Sequence, residues 1–190
     1  MIWNDAKIRE WASSGGITPY DESLVNPASL DLRLGKWIRE PLQHWSYMPI
    51  TPAISKATPA CDLWTDAFEF ETYILKPGQC VLAASVEYIT MPDDAVGLLA
   101  SKSSTGRLLL EHFHSGFFDC GFTGTGTLEL KNDGKWPLEL RPGDLWVQLI
   151  LMQMVAPAEK SYQITGRYNG QILPEAHRAK ALVDTGPDSR

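Results

Sequence analysis

The sequence predicts a mainly-β fold, an all-β barrel or jelly-roll-like sandwich, on three observations. Several segments alternate apolar and polar residues with a period of two. Pro-Gly pairs stand at turn positions between them, and helical periodicity is scarce. The exception is a short N-terminal helix over residues 4–12. There Ile8, Trp11 and Ala12 share one side, Asn4 or Asp5 can cap the start, and Gly15-Gly16 ends it.

From there the strands follow in order. Leu30-Asp31-Leu32-Arg33-Leu34-Gly35 alternates as a half-buried strand does, and residues 68–75 do the same. Leu75-Lys76-Pro77-Gly78-Gln79 and Leu140-Arg141-Pro142-Gly143-Asp144 place Pro-Gly where a type II turn needs a fixed φ and then a positive one. Each reads as a hairpin leading into a strand, over residues 80–86 and 145–155. Residues 124–130 put Thr125, Thr127 and Glu129 on one face, with Gly126, Leu128 and Leu130 on the other. Residues 41–66 carry four prolines and little periodicity, as a long surface excursion would. No linker divides the chain, so residues 1–190 read as one domain. The polar tail, 162–190, has no period of its own.

Composition narrows the partners. At 190 residues, 44% hydrophobic and 21% charged, the chain can bury a core. Seventeen Lys and Arg against 23 Asp and Glu give a net charge of −6, which argues against nucleic acid and leaves a small molecule or another protein. No stretch approaches the roughly 20 apolar residues of a membrane span, and the start lacks a signal-peptide pattern. Cys61, Cys80 and Cys120 form no CxxC pair, so a reducing cytoplasm is expected.

Two segments break the strand grammar. Between apolar runs stand Lys102-Ser103-Ser104-Thr105-Gly106-Arg107, hydroxyls and cations suited to phosphate if they open a helical turn. The alternative is a capped short helix with solvated charges. The second is Asp119-Cys120-Gly121-Phe122, an acid at a Gly-containing bend beside an aromatic. Such a pair can accept a sugar hydroxyl and pack on the sugar face. Glu129, ten positions on, is either turned to solvent or turned inward for proton transfer. His112 and His114 share a strand face, but no third metal ligand stands near and a structural role is favoured. The His-x-Glu and Pro-Cys-x-x-Cys signature of zinc deaminases is absent.

Taken together, these segments resemble the dCTP deaminase branch of the dUTPase-like superfamily. Asn26-Pro27-Ala28-Ser29-Leu30-Asp31-Leu32-Arg33-Leu34-Gly35 resembles the family's Q-P-A-S-x-D-L-R-L-G strand. Residues 102–108 resemble its R/K-S-S-x-A/G-R-L loop, and Asp119 to Gly124 with Leu128-Glu129-Leu130 and Asn132 resembles D-P-G-F/W-x-G followed by L-E-L/F-x-N. Arg141-Pro142-Gly143 leading to Gln148-Leu149, and the tail segment Arg167-Tyr168-Asn169-Gly170-Gln171, complete five matches in the family's order.

The resemblance implies a distorted β-barrel that forms homotrimers with active sites at subunit interfaces, closed by the C-terminal tail. It implies zinc-independent hydrolytic deamination of dCTP to dUTP and ammonia, on a nucleotide that carries Mg²⁺. Glu129 would be the general acid/base, with Ser103 and Arg107 positioning the water. Lys102 and Ser104 would hold phosphates across the interface, and Thr105 and Gly106 would also belong to the substrate site. Asp119 would accept the 3′-hydroxyl and Phe122 would crowd the 2′ position. The backbone at Thr127 and Leu128 would read cytosine, and Tyr162, Arg167, Tyr168 and Gln171 would form the lid.

The nearest rival is a dUTPase, or a bifunctional enzyme giving dUMP and pyrophosphate; a further rival is a nucleotide-binding regulator without turnover. The chain departs from the pattern in three places: the Arg107–Asp119 spacing is one residue short with Ser115 for Ala, Cys120 stands for Pro, and Arg167 stands for Lys.

Overall fold

The computed structural model of the chain describes residues 1–42, 63–112 and 116–176. It opens with α1 (Asp5–Trp11), capped by the Asn4 side chain, which accepts from the Lys7 amide. Ile8 and Trp11 turn to the core, and one wider turn with Gly15 at φ 99° ends the helix, as the spacing predicts. The strands that follow are β1 (Ile17–Thr18), β2 (Val25–Asn26), β3 (Ser29–Arg39), β4 (Phe68–Glu69), β5 (Tyr73–Leu75) and β6 (Cys80–Thr90). After β7 (Ala95–Ser101) comes the short helix α2 (Ser103–Arg107). Then come β8 (Leu110–His112), β9 (Phe117–Phe118), β10 (Thr123–Asn132), β11 (Leu138–Leu140) and β12 (Leu145–Gln153), and last the turn-length helix α3 (Tyr162–Thr165).

The main sheet runs β8-β10-β6-β3-β12-β7-β9, and every pairing is antiparallel. Its two ends, β8 and β9, are close neighbours in sequence, so the sheet curls back toward itself. His112 N donates to Ser101 Oγ and Leu99 N to Gly116 O, which brings both ends beside β7. The fold is mainly β with a short N-terminal helix, as expected.

Leu30, Leu32 and Leu34 of β3, Val81 and Ile89 of β6, Leu128 and Leu130 of β10, and Val147, Leu149 and Leu151 of β12 fill the interior. Fully burying one such side chain contributes roughly 1.5–3 kcal/mol.

Two local expectations change. Residues 68–75 are not one strand: β4 pairs with β3, the chain bends at Glu71-Thr72, and β5 pairs with β11 in a separate two-stranded sheet. Both Pro-Gly turns form with positive φ at Gly78 and Gly143, closed by Gln79 N to Lys76 O and Asp144 N to Arg141 O. They are not hairpins, however. Each is a corner where the chain leaves the small sheet, at β5 or β11, for a long strand of the large one. The turn residues fix the backbone angles; partner choice is set by burial of Leu75, Leu138 and Leu140. Asn132, fully buried, ties the corners together: its Nδ2 donates to Leu75 O and Trp136 O, and its Oδ1 accepts from Gly134 N.

The excursion's two ends are pinned by Leu42 N to Leu63 O and Thr65 N to Glu40 O. Its middle lies outside the described residues, as do His114, Ser115 and the tail beyond Ala176.

Candidate active site

Thr127 and Glu129 owe their aim to an irregular stretch in the neighbouring strand. The register passes from Thr125 opposite Tyr88 to Thr127 opposite Ala84, so Ser85, Val86 and Glu87 together face Gly126. Ser85 Oγ accepts from Gly126 N at 2.8 Å and donates to Glu87 O at 2.7 Å. The Glu87 carboxylate, 1% exposed, accepts from Arg33 Nε at 2.6 Å and from Arg33 N at 2.9 Å. Burial pushes Glu87 up and these bonds oppose it. Beyond this stretch strict alternation resumes: Leu128 and Leu130 go to the core, while Thr127 and Glu129 face the other way, half-buried. Thr125 is buried under the tail, its N and Oγ1 both donating to Gln171 O.

A cavity of about 590 Å³ opens on that face. Glu129 and Thr127 line it together with Asp119, Phe122, Tyr162, Tyr168 and Gln171, seven of the side chains that the sequence singles out. Trp64, Leu82, Phe117, Phe118 and Glu175 complete the wall, and the sequence reading missed them. Leu82 lies opposite Glu129 in the β6–β10 register, a pairing that no local signal marks. Trp64 follows an aperiodic stretch, and no local signal marks it. Glu129 lies on the cavity wall rather than in bulk solvent. Its negative charge adds to the effect of burial in raising the Cys80 thiol.

Asp119 begins a tight turn closed by Phe122 N to Asp119 O, with Gly121 at φ 78°. This is the type II geometry, held by the Gly even though Cys120 stands where Pro would fix φ. Phe122 packs against Phe118 and Tyr162 at centroid distances of 4.9 and 5.9 Å, which sets an aromatic floor beside Asp119. Burial raises the Tyr162 phenol, while backbone N–H groups at Tyr168 and Arg167 oppose the shift. A Cβ at Gly121 would lie 1.9 Å from Ser161 Oγ, the hydroxyl that caps α3. Gly121→Ala is therefore expected to loosen Tyr162 and the floor as well as strain the turn. The check is thermal unfolding together with Tyr fluorescence; an unchanged Tm and spectrum would contradict it. The expected stability loss exceeds 1 kcal/mol, since both the positive φ and the contact oppose a side chain.

The tail lies along the free edge of β10. Gly170 N donates to Thr123 O and Thr125 N to Gln171 O, while Gln171 Nε2 reaches Thr125 O at 2.6 Å and Thr127 Oγ1 at 3.1 Å. Asn169 Oδ1 accepts from Thr123 N and Oγ1, and Glu175 N donates to Thr127 Oγ1. Arg167 flanks Tyr168 without lining the cavity. The Leu128 side chain is fully buried, so only its backbone could face a ligand.

Lys102, Ser103, Ser104, Thr105, Gly106 and Arg107 do not line this cavity. Residues 103–107, following Lys102, form the short helix α2, with Ser103, Ser104 and Arg107 exposed and Thr105 buried. The Lys102 ammonium pairs with Asp31, whose carboxylate also accepts from Asn26 Nδ2 at 2.9 Å. Ser29 Oγ donates to Gln148 Oε1 at 2.7 Å beside them. The motif residues of β3, α2 and β12 thus form a second polar cluster, separate from the cavity within one protomer. His112 is half-buried; desolvation holds its imidazole below the ordinary range, and a hydrogen bond with the Thr127 backbone opposes that shift. Among the described residues no three His, Cys, Asp or Glu side chains converge as a metal centre would.

A family model described as dCTP deaminase-like matches residues 2–154. A protein of Thermobifida fusca named "dCTP deaminase, dUMP-forming" is 40% identical over 185 residues, covering 94% of this chain and 93% of its own. A protein of the same name from Mycolicibacterium vanbaalenii is 40% identical over 187 residues, covering 94% and 96%. The crystal structure of 2′-deoxycytidine 5′-triphosphate deaminase from Agrobacterium tumefaciens superposes with a TM-score of 0.63 at 24% identity, over 79% of this chain and 47% of that one, a likeness of fold. With the matched region spanning the strands that build the cavity, the chain belongs to the dCTP deaminase-like family.

Proposed function

We propose that the chain deaminates dCTP and cleaves the resulting triphosphate, giving dUMP, pyrophosphate and ammonia. The observation that carries this is the convergence of Glu129, Thr127, Asp119, Phe122 and Tyr162 on one cavity. The printed name of the relatives, dUMP-forming, favours the two-step outcome over release of dUTP.

In the first step Glu129 takes a proton from water as the oxygen attacks C4 of cytosine. It passes that proton to the ring nitrogen, then takes the hydroxyl proton of the tetrahedral adduct and delivers it to the amine, so the C4–N bond breaks, ammonia departs and a carbonyl remains. Water is a weak nucleophile at neutral pH, and a positioned carboxylate lowers that barrier by general base catalysis. Asp119 accepts the 3′-hydroxyl and the Phe122 ring occupies the space a 2′-hydroxyl would need. In the second step water attacks phosphorus and pyrophosphate leaves. The substrate is the Mg²⁺ complex of the nucleotide; a hard cation of this kind is held by phosphate oxygens and waters.

Phosphate contacts come from α2 of a neighbouring copy in a homotrimer. Two features support this: no residue of α2 lines its own protomer's cavity, and an exposed apolar strip adjoins that cavity. Leu98 and Phe117 lie opposite each other across β7 and β9, both exposed, and Phe117 also lines the cavity. A second copy seated there would cover the strip and bring Ser103, Ser104 and Arg107 to the cavity mouth.

The test is product analysis on dCTP with Mg²⁺. Ammonia, dUMP and pyrophosphate in equal amounts are expected. Accumulating dUTP would restrict the chain to the first step, and no release of ammonia would remove the assignment.

A further inference from the structure

Two segments distant in the chain cover the cavity: Trp64 just before β4, and the tail through Glu175. One side chain bonds to both. Arg39, the last residue of β3, donates from Nε to Pro174 O at 2.7 Å and from Nη1 to Thr65 O at 2.9 Å. The sheet dictates its position. Arg39 lies opposite Leu82, and Leu82 lies opposite Glu129, so the three side chains form a row on one face of β3, β6 and β10. Leu82 and Glu129 are cavity wall, and Arg39 closes the row at its edge.

Both bonds go to backbone carbonyls. Pro174 has no N–H, so its carbonyl is the backbone group by which the sheet can hold it. A planar guanidinium can serve two diverging carbonyls at once, which a single ammonium does less well. Upstream, the tail is held at Asn169, Gly170 and Gln171; Arg39 acts further along, where Glu175 joins the wall.

We propose that Arg39 is a positioning residue, a clasp that holds the Trp64–Thr65 segment and the Pro174–Glu175 segment on one sheet face and so closes the cavity over Glu129. It acts through those two backbones and has no contact with the nucleotide. The clasp is independent of which nucleotide binds; only its kinetic consequence rests on the deaminase reading.

The test is amide hydrogen exchange on the full chain without nucleotide, comparing the parent with Arg39→Met and Arg39→Lys. The reporters are the Glu175 amide, which donates to Thr127, and the Thr65 amide, which donates to Glu40. Both variants are expected to lose protection about tenfold at both amides, the range for charge-assisted bonds. Amides of β12 should stay within about twofold of the parent. The lysine variant keeps the charge and the aliphatic stem, so a loss there isolates the fork geometry. Unchanged protection at the two amides overturns the proposal. So does loss at only one segment, or a general loss reaching β12, which would make Arg39 a sheet-building residue. On dCTP, Arg39→Met should raise KM about tenfold with a smaller change in kcat, since closure and not proton transfer is impaired. If exchange responds as expected while the parent releases no ammonia from dCTP, the clasp stands and the deaminase reading falls.

Discussion

Glu129→Gln is expected to abolish ammonia release from dCTP while leaving nucleotide affinity within a fewfold of the parent. Gln matches Glu in size and can still accept a hydrogen bond at its carbonyl, so the cavity that Trp64, Leu82 and Thr127 line around it keeps its shape. What it loses is the capacity to take a proton from water and return it to the amine. General acid–base groups contribute roughly 10²–10⁴-fold, and one group carrying several transfers belongs at the upper end. The check is a coupled ammonia assay beside calorimetric titration of dCTP into the variant. Turnover at the parent rate would show that the proton carrier is another group. Loss of binding in step with turnover would give Glu129 a substrate-holding role instead.

Arg107→Ala should lose both affinity and turnover. Arg107 is exposed at the end of α2 and makes no ion pair among the described residues, so its removal should leave Tm unchanged within error. Its guanidinium suits a phosphate oxygen, and a charged contact of that kind is worth roughly tenfold to a hundredfold in binding. If it also fixes the reacting atoms, kcat falls further. Binding isotherms with dCTP and with dCMP separate the two effects. The variant should lose affinity for the triphosphate and little for the monophosphate. Equal losses for both ligands would move Arg107 away from the phosphates.

The strand alternation was legible because the core demands it: Leu30, Leu32 and Leu34 point inward as their spacing requires. The capped helix and the two Pro-Gly turns were legible because Asn4, Gly78 and Gly143 act locally, through one hydrogen bond or one dihedral angle. Pairing was not. Nothing local in residues 68–75 tells that Phe68 pairs toward β3 and Tyr73 toward β11, since that choice depends on a strand more than sixty residues away. The sheet irregularity at Ser85 was equally hidden, and so was the tail pairing that buries Thr125.

The candidate site divides along the same line. Asp119, Phe122 and Glu129 carry chemistry that a reader can suspect from residue type and from the family resemblance. Trp64, Leu82 and Glu175 become wall residues only through packing. Lys102 shows the opposite case: its charge suggested a phosphate, yet within the protomer its ammonium is held by Asp31, seventy-one residues earlier in the chain. That pairing fixes the start of α2 against β3 and leaves Ser103, Ser104 and Arg107 facing outward.

Mixing the two variants tests directly whether the catalytic centre is shared between subunits, as proposed. Glu129→Gln and Arg107→Ala subunits, unfolded together in equal amounts and reassembled, would pair an intact Glu129 with a neighbour's intact Arg107 at roughly a quarter of the interfaces. Ammonia release from dCTP is therefore expected to return to about a quarter of the parent rate. Recovery no greater than the sum of the two variants alone would mean that the carboxylate and the arginine do not meet across a subunit boundary.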